Sequence, residues 1–159
     1  MLQKLADLFH RQVLGMNRRN LGVIYRNASR QDFTVADDKV ETKALLEPAG
    51  IPVPQTHAVL GEIRSIKDAW PQVAQRQNVV VKPAKGRAGN NILVLNRTYQ
   101  GWETPSGTIY GRAAIQRHIA DIIYGAQSYG AWDRALVEDR VVAHSFFREI
   151  YDGGLPDIR

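Results

Sequence analysis

The sharpest chemical signal in the chain is the run Val79-Val80-Val81-Lys82-Pro83-Ala84-Lys85-Gly86-Arg87-Ala88-Gly89-Asn90-Asn91. A lysine closes a compact β-branched segment, and a loop with two glycines and two more cations follows. Glycines let backbone approach a ligand and turn several N–H groups toward one anion. A lysine at a strand end adds a point charge suited to phosphate. This is not a Walker loop, because Gly86-x-x-Gly89 lacks the four-residue gap and the closing Lys-Ser/Thr. It is not the dinucleotide fingerprint either. Taken alone, a basic glycine hairpin is also what a plain turn looks like.

Other chemistry-bearing residues are less organised. His10, His57, His118 and His144 are scattered without metal-ligand spacing, and cysteine is absent, so thiolate metal sites and disulfides are excluded. His118 lies on or beside an apolar helix face and reads as a packed residue. Glu138 and Asp139 are adjacent on an expected strand, so their side chains point to opposite faces and make a poor paired-acid site. Trp70, Trp102 and Trp132 read as core or rim residues rather than base-stacking platforms.

The 159 residues carry a net charge of +5, and the charge is unevenly placed. His10 to Gln31 holds Arg11, Arg18, Arg19, Arg26 and Arg30 with no carboxylate, and Ala69 to Trp102 also lacks one. Such blocks suit an anionic partner or a solvated basic face. Hydrophobic residues at 44% and charged residues at 23% exclude disorder, collagen and coiled coil as whole-chain descriptions. No apolar run approaches the roughly 20 residues of a membrane span. No signal-peptide pattern opens the chain, so a cytoplasmic location is the expectation.

The elements that must position these residues follow from periodicity. Leu2, Leu5, Phe9 and Val13 predict an amphipathic helix, and polar, aperiodic residues 16–36 read as an extended basic loop. Asp37 and Asp38 open a helix that stops at Ala49-Gly50 before Pro52 and Pro54. Strands are predicted at Thr56–Leu60, Asn78–Lys82, Ile92–Leu95, near Thr108–Tyr110, over Arg134–Val142 and over Ser145–Ile150. Ser65 is placed as the cap of a helix through Trp70 with Pro71 as its break or kink, and Arg112–Tyr124 as a helix with Ile115, Ile119 and Ile122 inward. The mixture predicts an α+β fold, a mixed or antiparallel sheet with flanking helices.

In this order and spacing the motifs resemble the ATP-grasp superfamily. Asp38-Lys39-Val40-Glu41-Thr42-Lys43, then Ala49-Gly50-Ile51-Pro52-Val53-Pro54, looks like its entry helix and turn. Val81-Lys82-Pro83 with the glycine loop looks like its phosphate strand and flap. Ala135-Leu136-Val137-Glu138-Asp139-Arg140-Val141 looks like its adenine-holding hinge, and Asp157-Ile158-Arg159 like its "Asp-x-Arg" strand. With Leu14-Gly15-Met16-Asn17-Arg18-Arg19-Asn20, the chain is similar to the alpha-L-glutamate ligase-like proteins, relatives of the ligase that adds glutamates to a ribosomal protein.

The resemblance implies a glutathione synthetase ATP-binding-like small subdomain at 37–137, after an N-terminal helix and basic loop at 1–36. The hinge and the incomplete start of a second subdomain would occupy 138–159. It implies that Lys39 and Lys82 hold phosphates and that Lys85, Gly86, Gly89 and Asn90 belong to a flap. Ala88 stands where the family often has a further glycine. Glu138, Asp139, Arg140 and Val141 would line adenine, and Arg159 would be the catalytic residue facing the acyl phosphate. The implied cofactors are ATP and magnesium, with magnesium's acidic ligands after the Asp-x-Arg strand. The implied partner besides ATP is an acidic amino acid or peptide; no membrane is expected, and nucleic acid is not the favoured partner. The implied reaction is carboxylate–amine ligation through an acyl phosphate. Because the chain stops at Arg159, a fragment without ligase activity and with weak nucleotide binding is expected. The alternatives are a non-catalytic module whose basic 10–31 segment binds nucleic acid or another polyanion, and a structural remnant that binds no small ligand.

Overall fold

The computed structural model describes residues 14–86, 89–126 and 130–150. Short helices come first: α1 (Met16–Arg19) passes through a π turn at Asn20–Ile24 into α2 (Tyr25–Asn27), followed by α3 (Arg30–Asp37) and α4 (Lys39–Leu46). Then come β1 (Thr56–Leu60), α5 (Ile63–Val73), β2 (Asn78–Pro83), β3 (Leu93–Thr98), β4 (Gly101–Glu103), β5 (Ile109–Tyr110), α6 (Arg112–Ile123), β6 (Ala135–Glu138) and α7 (Ser145–Ile150).

The strands form one antiparallel sheet in the order β1-β6-β2-β3-β4-β5. The last strand in sequence is inserted between the first two, so β6 is bonded on both sides. The α+β architecture with an antiparallel sheet is as the sequence predicts.

Alternation sorts the two faces. In β2, Val79, Val81 and Pro83 are buried while Val80 and Lys82 are half-buried. Val81 pairs with Val137 and Leu93, and Lys82 pairs with Leu136. Paired residues in an antiparallel ladder share a face. One face therefore carries Val79, Val81, Leu95, Ala135 and Val137 against Ile66, Trp70 and Val73 of α5 and Ile115, Ile119, Ile122 and Ile123 of α6. The opposite face carries Val80, Lys82, Leu136 and Glu138.

Several sequence expectations are corrected. Residues 16–36 are not an extended loop; most of them are helical. Leu14, Met16, Leu21, Val23 and Tyr25 are exposed, so no buried face wrote a helical period into the sequence. Ser65 does not cap α5. The helix starts two residues earlier after Glu62, and the Ser65 hydroxyl donates to the Glu62 carbonyl at 2.5 Å. Pro71 does not end α5, because Trp70 and Val73 are buried on either side of it and hold the last turn on the sheet. Ser145–Ile150 is helix α7, not a strand, and β6 stops at Glu138 rather than Val142. Strand β4 was not foreseen; it is three residues long, with buried Trp102 at its centre. The expected 2–13 helix lies outside the described residues. Among those described, no helix is long and apolar enough to cross a membrane.

Candidate functional site

The start of α4 is built by Asp38. Its Oδ1 accepts from the backbone N–H of Val40 at 3.0 Å and of Glu41 at 3.4 Å. Its other oxygen accepts from the Arg134 guanidinium at 2.8 Å, and Arg134 also reaches Glu41 at 3.0 Å. Burial alone would raise the Asp38 pKa, but the Arg134 contact and the two cap bonds outweigh it and hold the carboxyl below the ordinary aspartate value. A lowered carboxylate pKa contributes stability that is full above the unfolded value and is lost as pH falls through the folded one. Asp38→Ala should cost about 1–2 kcal/mol and Asp38→Asn distinctly less. Urea unfolding at neutral pH checks this, and equal losses would contradict it.

With the helix start fixed, Lys39 is delivered to the end of β2. Its backbone N–H donates to the Ala84 carbonyl at 3.0 Å. Its ammonium donates to the Ala84 carbonyl at 3.2 Å and to the Gly86 carbonyl at 2.7 Å. The loop is tight here. A Cβ on Gly86 would lie 2.1 Å from the Pro83 ring, so the turn admits only glycine without moving. Lys39 is half-buried, and its pKa lies below the ordinary lysine value. Burial is the largest cause and the neighbouring charge of Lys82 the next, partly offset by Asp133, Asp38 and Glu138. The two lysines therefore sit within electrostatic reach of each other, Lys39 from the start of α4 and Lys82 from the end of β2.

Lys82 projects from the sheet face opposite the apolar core. Its ammonium is paired with Oε1 of Glu138, the neighbour diagonally across on β6. Glu138 is buried, and its Oε2 accepts from Lys43 at 2.8 Å. Lys43 in turn donates to the Pro54 carbonyl at 2.5 Å. Three amines thus gather around one carboxylate and three backbone carbonyls. The cluster offers ammonium donors to an incoming anion, offset in part by Asp38 and Asp133 close to Lys39.

The remaining predicted residues are placed as follows. Lys85 is exposed, and its backbone N–H donates to both oxygens of Asp133 at 3.2 Å. Gly89 has φ +72° and Asn90 is exposed, in the turn that returns to β3. Arg87 and Ala88 lie outside the described residues, and Arg159 lies outside them as well. Asp139 accepts from His57 Nε2 at 2.6 Å. Arg140 donates to Asn96 at 2.7 Å. Val141 is exposed. The structure thus brings together Lys39, Lys82, Gly86 and Glu138, while Asp139 and Arg140 face other partners.

Sequence reasoning missed Lys43, Arg134, Asp133 and His57. Lys43 had a usable signal: it lies four residues after Lys39, on the same helix face. His57 had none. It occupies an irregularity in β1, where Thr56 pairs with Glu138 but Ala58 with Val137, and the extra residue turns toward Asp139. His118 is held as expected, with its Nε2–H donating to the Asn91 carbonyl at 3.2 Å, and burial lowers its pKa. Asn91 itself has φ +61°. Trp70 and Trp102 are core residues, whereas Trp132 is exposed against Tyr124.

No curated protein and no solved structure gives a match to this chain. The family described as Sugar-transfer associated ATP-grasp matches residues 18–159. That span contains the capped α4 with its lysines, the β2 lysine, the glycine loop and the β6 carboxylate. The chain belongs to the sugar-transfer associated ATP-grasp family, and as an ATP-grasp module it is ATP-binding and ligase-like.

Proposed function

We propose that this chain holds the triphosphate of ATP with Lys39 and Lys82, as the nucleotide-holding part of a carboxylate–amine ligase. The observation that carries the reading is that the Lys39 ammonium, held by the Ala84 and Gly86 carbonyls, feels the charge of Lys82, which comes from a different element and rests on Glu138. Neither amine faces a carboxylate of its own: Lys39 faces carbonyls, and Lys82 shares Glu138 with Lys43. A polyphosphate supplies the acceptors that this arrangement lacks.

In the proposed reaction a substrate carboxylate attacks the γ-phosphorus and ADP leaves, giving an acyl phosphate. An amine then displaces phosphate to form the amide. The part played by the described residues is to bind and orient. Lys39 and Lys82 neutralise charge on the phosphates, and Glu138 and the Ala84–Gly86 carbonyls fix where those amines rest. Hinge residues 138–141 are proposed to lie along adenine, with Lys85, Gly86, Gly89 and Asn90 closing over the phosphates. Arg159 is proposed to face the acyl phosphate. ATP-grasp modules bind ATP together with magnesium, which stabilises the transferring charge. Among the described residues no group of three or more His, Asp or Glu could hold a metal, so they form no magnesium site by themselves. An acidic amino acid or peptide, as in glutamate ligation, is the proposed substrate. It is supported by the motif resemblance rather than by a contact.

The test is a calorimetric titration with Mg-ATP and with GTP, in low and high salt. Saturable preference for ATP with shallow salt dependence is expected. Stronger binding of nucleic acid, falling steeply with salt, would favour the polyanion module instead. A second expectation concerns protons. The Lys39 pKa is lowered in the free protein, and a bound phosphate raises it again. In the alkaline interval between those two values, ATP binding should take up protons and weaken as pH rises. Titrations in buffers of different ionisation enthalpy measure the uptake, and proton release would contradict the assignment.

A further inference from the structure

Glu138 divides its two oxygens between two lysines, Oε1 to Lys82 and Oε2 to Lys43. The carboxylate is buried, as is Lys43, whereas Lys82 is the more open of the two amines. Lys43 is also anchored from behind by the Pro54 carbonyl. That gives a structural role to the Gly50-Ile51-Pro52-Val53-Pro54 turn, which the nucleotide reading does not use. A buried carboxylate needs a partner at all times. If Lys82 swings to a phosphate, Glu138 keeps a counter-charge only because Lys43 stays.

We propose that Lys43 is a positioning residue that keeps Lys82 available to phosphate. By holding Glu138 permanently, it leaves Lys82 with half a carboxylate instead of a whole one, so the move to an anion strands no charge. The functional half of this inference rests on the reading of Lys82 as a phosphate ligand. The coupling itself, Lys43 through Glu138 to Lys82, does not.

The experiment has two readouts. The first needs no nucleotide: the rate at which acetic anhydride labels Lys82, followed by mass spectrometry at one alkaline pH. In Lys43→Met, Glu138 has only Lys82 as a partner and holds its ammonium more tightly, so labelling of Lys82 should slow about tenfold. In the double variant Lys43→Met/Glu138→Gln no carboxylate remains to hold Lys82, and labelling should return to the wild-type rate or exceed it. Lys43→Arg should keep the wild-type rate. The second readout is ATP affinity, which should fall about tenfold in Lys43→Met and stay near the wild-type value in Lys43→Arg.

Recovery on adding a second substitution is not what a merely structural lysine would show. Removing both partners of a buried pair is tolerated better than removing one, so the double variant also guards against loss of fold. Unchanged Lys82 reactivity in Lys43→Met, or a double variant as impaired as the single, would overturn the proposal. If Lys82→Ala leaves ATP affinity intact, the triphosphate reading fails, and the labelling result still decides the coupling.

Discussion

Replacing Lys82 by alanine should lower ATP affinity at least about hundredfold, which is roughly 3 kcal/mol. Two effects combine. The variant loses a charge-assisted contact to phosphate, worth about 1.5–3 kcal/mol. It also leaves Oε1 of Glu138 without its amine, turning negative charge toward the site. Stability should change far less, by about 1 kcal/mol, because Lys43 still pairs with the carboxylate. The contrast separates function from fold. Affinity is read by calorimetry and stability by urea unfolding. A variant that binds ATP as the wild type does would remove Lys82 from the site.

Glu138→Ala should show the opposite balance, with a loss of about 3 kcal/mol in folding stability. Lys43 and Lys82 would then face each other without the carboxylate that separates them. Lys43 cannot relax easily, because it is largely buried and tied to Pro54. Glu138→Gln keeps an acceptor oxygen for one amine and should cost only about 1–2 kcal/mol. The denaturation midpoints of the two variants should differ clearly, with slopes unchanged. Equal losses would mean that packing, not charge, is what Glu138 supplies.

The parts legible in the sequence are those whose period is enforced by burial. Ile115, Ile119 and Ile122 mark α6 because that face packs on the sheet, and Val79 and Val81 mark β2 for the same reason. Asp38 marks the start of α4 because a short acceptor there satisfies free N–H groups. The segment from Met16 to Asn27 was illegible because its apolar side chains face outward, leaving a helix with no buried stripe. Ser145–Ile150 misled because among the described residues no strand is there to pair with it, and the segment closes its hydrogen bonds locally as a helix.

The site was half legible for a related reason. Lys39, Lys82, Gly86 and Glu138 could be picked out, since their motifs are local and ordered. What could not be read was the pairing, because it depends on register. Lys82 meets Glu138 only because β6 inserts beside β2 with Val80 opposite Glu138. Nothing in either segment states that offset. Lys43 reaches the same carboxylate from a separate helix, 95 residues away in sequence.

The most direct measurement of the central claim is protection of individual lysines from amine labelling by bound nucleotide, resolved by mass spectrometry. Saturating ATP should shield Lys39 and Lys82 together, AMP should shield neither, and exposed Lys67 should label equally throughout. Bound ATP with Lys39 and Lys82 still freely labelled would contradict the account.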